Sequence, residues 1–347
     1  MTMKRFIKES GMPTIYDVAQ KARVSVGTVS NVINGKASVS PKLRIRVEAA
    51  MQAIGYVPNH AARSLAKGKT NCIGVFYPFD PDYRAGENYI EFASLVTMEL
   101  RKHGHQAVLF PAHDPNSITL ETERVVDSGQ VDGVILFEVE MLDERASVLK
   151  DRGIPFVMLG RCANNDGLAY VDADVEQIIS EAVQHIVGRG YRRVAHLGRK
   201  SSVAVDLRIY HNLILECQQA GLNVEQSLFI WSTGKASESD RAVNHLLTHR
   251  QEYDVIFISE PMHRFRFVQE ALRNGIDIPG QVAVMGYMGG SLDEVSQPSI
   301  TAFDVQPEVL VEEAVHMLLD ICAGRDEGRQ VLVPGSLIVR ESTEARD

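Results

Sequence analysis

Residues 14–35 read TIYDVAQKARVSVGTVSNVING, and the apolar spacing within them decides what the first part of the chain is. Ile15, Val18, Ala19 and Ala22 stand at i, i+3, i+4 and i+7 behind Thr14, the pattern of a short amphipathic helix with its N-cap. After Arg23-Val24-Ser25 the apolar positions resume at Val29, Val32 and Ile33 and stop at Asn34-Gly35, which predicts a second short helix closed by a glycine. Ser40-Pro41 then opens a third, with Val47, Ala50, Met51 and Ile54 on its inner face and Gly55 at its end. Two short helices joined by a tight turn form a helix-turn-helix, and the third closes a small core over them.

Charge singles out the same segment. The 347-residue chain carries a formal net charge of −9, yet up to Lys69 it has 12 Lys and Arg against three acids, a net +9 that leaves −18 for the remainder. A basic module on an acidic body suits a polyanionic partner. The opening MTMKRFIKES lacks the apolar core of an export signal and no run of 18 apolar residues follows, so neither secretion nor membrane insertion is expected and the location is read as cytoplasmic. Cys72, Cys162, Cys217 and Cys322 are too scattered for a metal knuckle or a disulfide framework. No P-loop, nucleophile elbow or HExxH motif is present, so neither a cofactor nor catalysis is expected.

Beyond Asn71 the pattern changes to short β-rich runs separated by helical stretches: CIGVFY, AVLF, GVILF, FVMLG, VAHLG, LFIW, VIFIS and VAVMGY. Such alternation predicts parallel sheets flanked by helices. Eight strands exceed one comfortable sheet, so two lobes are expected, with a ligand cleft at the C-terminal ends of the strands.

The stretch TIYDVAQKARVSVGTVSNVING, followed by VSPKLRIRVEAAMQAIGYVPNHAARSLAKGKTNCIGVF, resembles the headpiece and hinge of the lactose-repressor (LacI/GalR) family of bacterial transcription regulators. The resemblance continues through QVDGVILFEVE, GIPFVMLGR, YVDAD, GYRRVAHLG, NGIDIPGQVAVMGY and LVPGSLIVREST. It implies an all-α helix-turn-helix headpiece over 13–57, a hinge helix over 58–70, and a periplasmic-binding-protein-like effector and dimerisation domain over 71–347. It also implies that the chain passes between lobes near Tyr170, Thr301 and Gln330, giving a first lobe of 71–171 with 300–329 and a second of 172–299 with 330–343.

The same resemblance assigns roles by position. Val26, Gly27 and Asn31 would face base edges in the major groove, and Thr14, Ser25, Thr28, Ser30 and Asn34 would hold phosphates or the register. Asn31 offers an amide suited to adenine where many relatives carry arginine, and Gly27 offers no side chain. Leu65, with Ala62 and Arg63 beside it, would form the hinge wedge in the minor groove. Arg23 occupies a turn position where relatives often have glycine; if that position is left-handed, arginine costs roughly 1–2 kcal/mol there.

In the cleft, Arg208 matches an arginine that grips effectors in relatives, and Tyr89, Arg161, His196 and Trp231 are further candidates. Glu260-Pro261 and Met288 stand where sugar-binding relatives place Asn-Asp and Asp, so the residues favour an anionic metabolite over a neutral sugar. The expected function is a sequence-specific regulator, acting as a repressor, bound as a dimer to a pseudo-palindromic operator and controlled by a small-molecule effector. The closing LIVRESTEARD adds no leucine heptad, which favours the dimer over a tetramer. Control by a protein corepressor, or by no small ligand, stays open. A two-lobed solute-binding protein is the alternative of another class, and residues 14–69 are what it would have no use for.

Overall fold

The computed structural model describes residues 13–33, 39–57, 69–78, 86–112, 118–233, 235–325 and 328–344. The chain divides into two compact units at Thr70/Asn71.

The first unit holds α1 (Ile15–Ala22), α2 (Val26–Ile33) and α3 (Pro41–Ile54). Val18, Ala19 and Ala22 of α1, Val29 and Val32 of α2, and Val47 and Ala50 of α3 are buried together, with Ile15, Ile33, Met51 and Ile54 packed around them. The 3.6-residue spacing thus places every expected apolar position on the common core. Thr14 caps α1 through a reciprocal box: its N–H donates to Asp17 Oδ2 at 2.8 Å, and Asp17 N–H donates to its hydroxyl. The cap expected at Ser40 is different. Its hydroxyl makes no cap bond, and its carbonyl instead accepts from Leu43 and Arg44 N–H, each at 3.0 Å.

Arg23 adopts the left-handed conformation, φ 52° and ψ 52°, as the turn position requires. Its N–H donates to Gln20 O at 3.2 Å and the next, Val24 N–H, reaches back to Ala19 O at 3.0 Å. α3 ends through the same pair of bonds, Gly55 N–H to Gln52 O at 3.2 Å and Tyr56 N–H to Met51 O at 2.9 Å, but there a glycine takes the left-handed site. Asn34 and Gly35, and the expected hinge residues Ala62, Arg63 and Leu65, lie outside the described residues.

The second unit begins with β1 (Cys72–Pro78), α4 (Gly86–Lys102), β2 (Gln106–Ala112), α5 (Ile118–Asp127), β3 (Gly133–Leu136), α6 (Glu144–Asp151), β4 (Phe156–Leu159) and β5 (Tyr170–Ala173). It continues with α7 (Val175–Gly188), β6 (Arg193–Arg199), α8 (Ala204–Gln219), β7 (Asn223–Ser232), α9 (Ala236–Thr248), β8 (Val255–Ile258), α10 (Pro261–Arg273), β9 (Ala283–Gly286) and α11 (Ser291–Val295). β10 (Thr301–Asp304), α12 (Pro307–Cys322), β11 (Gln330–Val333) and β12 (Ser336–Ile338) complete it. The strands form two six-stranded sheets, ordered β11-β5-β4-β3-β1-β2 and β12-β10-β9-β8-β6-β7. The first is parallel throughout. In the second, only β12 is antiparallel, against β10. Central strands β3, β5, β8 and β9 are buried along their whole length, as parallel strands covered by helices on both faces must be.

The expected lobe limits are displaced. Residues 172 and 173 stay with the first sheet as the end of β5, β10 pairs in the second sheet, and β11 pairs in the first. The chain therefore crosses after Ala173, at Val305-Gln306 and at Pro334-Gly335. A strand leaves its sheet only when its ladder is complete, so each crossing sits a few residues later than the sequence boundary suggested. The crossings lie side by side: Asp174 N–H donates to Val333 O at 2.8 Å, and Gln306 Nε2 to Pro334 O at 2.6 Å. Because β12 starts at the cleft, where the parallel strands end, it has to run against them.

Arg23→Gly removes the strain of a Cβ at φ 52° while keeping both backbone bonds. Amide exchange in α1 and α2 is expected to slow by about 5–30-fold, the equivalent of roughly 1–2 kcal/mol. Unchanged exchange would show that the side chain compensates the strain.

Candidate DNA-binding helix and ligand cleft

On α2, Gly27 is exposed and Asn31 half-exposed, one turn apart on one face, while Val29 and Val32 point into the core. Val26, expected to meet a base edge, is half-buried and also packs against that core. Three of the expected phosphate contacts, Thr14, Ser25 and Thr28, have local work. Ser25 Oγ caps α2 by accepting from Thr28 N–H at 3.1 Å and lies 2.9 Å from Thr28 Oγ1. Thr14 Oγ1 donates to Asp17 Oδ2 at 2.7 Å. A Cβ on Gly27 would meet only Ser25 Oγ, at 3.8 Å, so the fold itself leaves room for a side chain there.

The cleft between the lobes is bounded by the strand ends Phe137–Val139, Leu159–Arg161, Val171–Ala173, Ser259–Pro261 and Tyr287–Met288, with Arg199 and Asp206 across from them. It contains about 990 Å³ of space, counting the part open to solvent. Of the candidates, Arg161, Glu260 and Met288 line it. The side chain of Tyr89 lies outside the described residues.

His196 and Trp231 do not line it. His196 is fully buried in β6, with Nδ1 2.9 Å from Phe257 O and the rings of Tyr210, Phe229, Trp231 and Phe257 around it. Trp231 packs on Tyr210 with ring centroids 4.7 Å apart. Both belong to an aromatic layer on the second sheet, because in β6 and β7 alternation turns these side chains toward α8. Burial lowers the His196 pKa to about 4, with a partial offset from the Phe257 carbonyl, so the ring is neutral.

Arg208 is also not a lining residue. Its guanidinium crosses from α8 to the first lobe, where Nη1 donates to Arg161 O at 2.9 Å and Nη2 to Cys162 O at 2.7 Å, with Asp172 Oδ2 at 3.7 Å. It joins the lobes through these two backbone carbonyls. A second tie lies opposite, where Ala204 N–H donates to Val139 O at 2.8 Å and Ser202 Oγ to Glu140 Oε1 at 2.6 Å.

The expected preference for an anion meets carboxylates beside the cleft arginines. Arg161 donates to Asp172 Oδ2 at 3.1 Å and pairs with Glu176. Arg199 lies 2.6 Å from Glu138 Oε2 and donates to Asp206 Oδ2 at 2.8 Å, while Ser201 Oγ bonds the same carboxylate. Burial pushes the Asp172 carboxyl up to about 6 against the pull of Arg161 and Arg208, and raises that of Asp206 against the pull of Arg199. Glu138, Asp172 and Asp206 escaped the sequence reading because no helical or strand period joins them to Arg161 and Arg199.

Two buried arginines set the strand ends in place. Arg264, 0% exposed, donates to Ile258 O and Tyr287 O, both at 2.9 Å, to Met288 O at 3.0 Å, and to both oxygens of Asp293. Arg145 does the same in the first lobe, donating to Phe137 O at 3.0 Å and Glu138 O at 3.1 Å while paired with Asp143. Glu138 and Met288, the residues they hold, have left-handed backbones, φ 49° and 48°.

Comparisons with known proteins agree with this architecture. Residues 14–59 match the family described as bacterial regulatory proteins, lacI family, and residues 183–343 match a periplasmic binding protein-like domain. The chain thus carries a lacI-family helix-turn-helix domain together with a periplasmic binding protein-like domain. It is 29% identical over 340 residues to the HTH-type transcriptional regulator CelR of Thermobifida fusca, covering 95% of this chain and 98% of that one. Catabolite control protein A of Priestia megaterium is 26% identical, covering 95% and 99%. Among solved structures, a transcriptional regulator CelR–cellobiose complex aligns with a TM-score of 0.71 at 27% identity over 95% of this chain and 99% of that one. A lac repressor dimer bound to operator and the anti-inducer ONPF shares the fold, with a TM-score of 0.85 at 21% identity over 96% and 100%. The protein is a DNA-binding transcriptional regulator, and among its described residues no helix is long and apolar enough to cross a membrane.

Arg208→Ala removes two charge-assisted bonds between the lobes, each worth about 1.5–3 kcal/mol where fully formed. Ligand affinity is expected to fall by tenfold or more for every cleft ligand, whatever its charge, in calorimetric titration. A loss confined to anions would show instead that Arg208 grips the ligand.

Proposed function

We propose that this regulator binds a pseudo-palindromic operator as a homodimer, reading it with the Gly27 and Asn31 face of α2, and that a neutral polyhydroxylated ligand in the interlobe cleft controls it as a repressor. The observation that carries the ligand class is that the guanidiniums of Arg161 and Arg199 already pair with carboxylates. An incoming anion would have to displace Asp172, Glu176, Glu138 or Asp206. Hydroxyl groups, by contrast, can donate to those carboxylates and accept from the guanidiniums without breaking the pairs. Apolar walls from Phe137, Val139, Leu159 and Met288 suit the carbon faces of a ring. The likeness to a regulator in complex with cellobiose supports the same class.

On the DNA side, glycine at an exposed helical position costs about 1 kcal/mol relative to alanine. With open space around Gly27, that cost has no reason within the fold, which supports close approach of the α2 backbone to a partner surface. Ser25 and Thr28 then act first as a cap, and Thr14 as the start of α1. Ser30, Asn34 and the hinge residues Ala62, Arg63 and Leu65 keep the roles the family resemblance implies.

Two experiments test these readings. Selection from a randomised operator library is expected to move one half-site position from adenine toward guanine in Asn31→Arg, by roughly 1–3 kcal/mol, and an unchanged consensus would remove Asn31 from the interface. Thermal-shift screening of neutral sugars, sugar phosphates and organic acids is expected to give its largest shift with a neutral sugar. A response limited to the charged compounds would restore the anionic reading, and a response to none would favour a protein corepressor.

A further inference from the structure

Away from the cleft, three metal-ligating side chains converge at the end of α4. Glu99 and His103 stand four residues apart, the second in the turn that follows α4, and His316 reaches them from α12. His103 Nε2 and His316 Nε2 are 3.1 Å apart, and Glu99 Oε1 lies 3.3 Å from the first and 3.5 Å from the second. Three ligand atoms bound to one zinc-like ion at about 2.0–2.1 Å in tetrahedral geometry would be separated by about 3.3 Å. The three observed distances bracket that value.

The supporting groups fit as well. Glu99 is buried, 8% exposed, beside the fully buried Val96 and Leu100, an unusual place for a carboxylate. Lys102 Nζ occupies its other oxygen, Oε2, at 2.6 Å, which fixes the carboxylate plane and leaves Oε1 facing the two imidazoles. The imidazoles meet nearly edge to face, at 87°, with both Nε2 atoms turned to the same point. Among the described residues this is the one cluster in which three such ligand atoms come together.

We propose that Glu99, His103 and His316 form a three-ligand site for a divalent transition-metal ion of the zinc class, tying the end of α4 to α12. His103 is exposed, so a fourth position stays accessible to water or a further ligand. The site is independent of the ligand cleft and uses none of the residues assigned to DNA.

The test is a zinc titration of the full chain against a chromophoric chelator, with cobalt(II) absorption to report coordination. One tight zinc per chain and a four-coordinate cobalt band are expected. His103→Ala and His316→Ala, both at partly exposed positions, are expected to weaken zinc at least tenfold with the circular dichroism spectrum unchanged, and Glu99→Gln to do the same. His245→Ala, which breaks the other close histidine pair on α9, is expected to leave binding unchanged. Equal zinc binding by the intact chain and the His103→Ala/His316→Ala double variant would overturn the site, as would failure of the intact chain to bind zinc at micromolar concentration. Because the readout needs neither operator nor effector, it stands or falls separately from the proposed function.

Discussion

Parallel strands end with carbonyls aimed into the cleft that they form, and those carbonyls need donors that do not fill it. Arg264 supplies them in the second lobe. One guanidinium, fully buried and held by Asp293, bonds the carbonyls of Ile258, Tyr287 and Met288 and so locks the ends of β8 and β9 together. Arg145 and Asp143 repeat the device under Phe137 and Glu138. Breaking such a pair by removing one partner costs about 3–5 kcal/mol, since a buried charge is left behind. The cleft floor is thereby rigid before any ligand arrives, and the left-handed backbones of Glu138 and Met288 are held by bonds on both sides of the cleft.

On that floor each arginine stands between two carboxylates. Arg161 with Asp172 and Glu176, and Arg199 with Glu138 and Asp206, place donors and acceptors close together in a partly dry space. A neutral ligand that offers both kinds of group meets them without uncovering a charge. Arg208 and the Val139-to-Ala204 bond span the lobes at the same level. Closing the lobes and binding in the cleft are therefore linked through the same few residues.

Much of this was legible in the sequence, and the exceptions have physical causes. The headpiece was readable because its helices bury one stripe each and its caps are local. The eight apolar strands were readable for the same reason. β5, β10, β11 and β12 read YVDA, TAFD, QVLV and SLI, too short and mixed to stand out, and they exist because the chain crosses between sheets there. Arg264 hid inside PMHRFRFVQEALR, where it looks like Arg266; only the helix phase against Asp293 buries one and leaves the other half-exposed. His196 and Trp231 were misplaced because a ring on β6 or β7 reads alike whether it faces a cleft or a helix. The acids that neutralise the cleft arginines were invisible for want of any local pattern.

The central claim is that occupancy of the cleft changes the free energy of operator binding by this regulator. Fluorescence anisotropy of a labelled operator, with the cleft empty and with it saturated by the neutral ligand found in screening, measures that directly. A change in operator affinity of about 5–150-fold is predicted, the usual range of such coupling, with an equal change in ligand affinity when operator is bound. Operator affinity that stays the same while the cleft is demonstrably full would contradict the account.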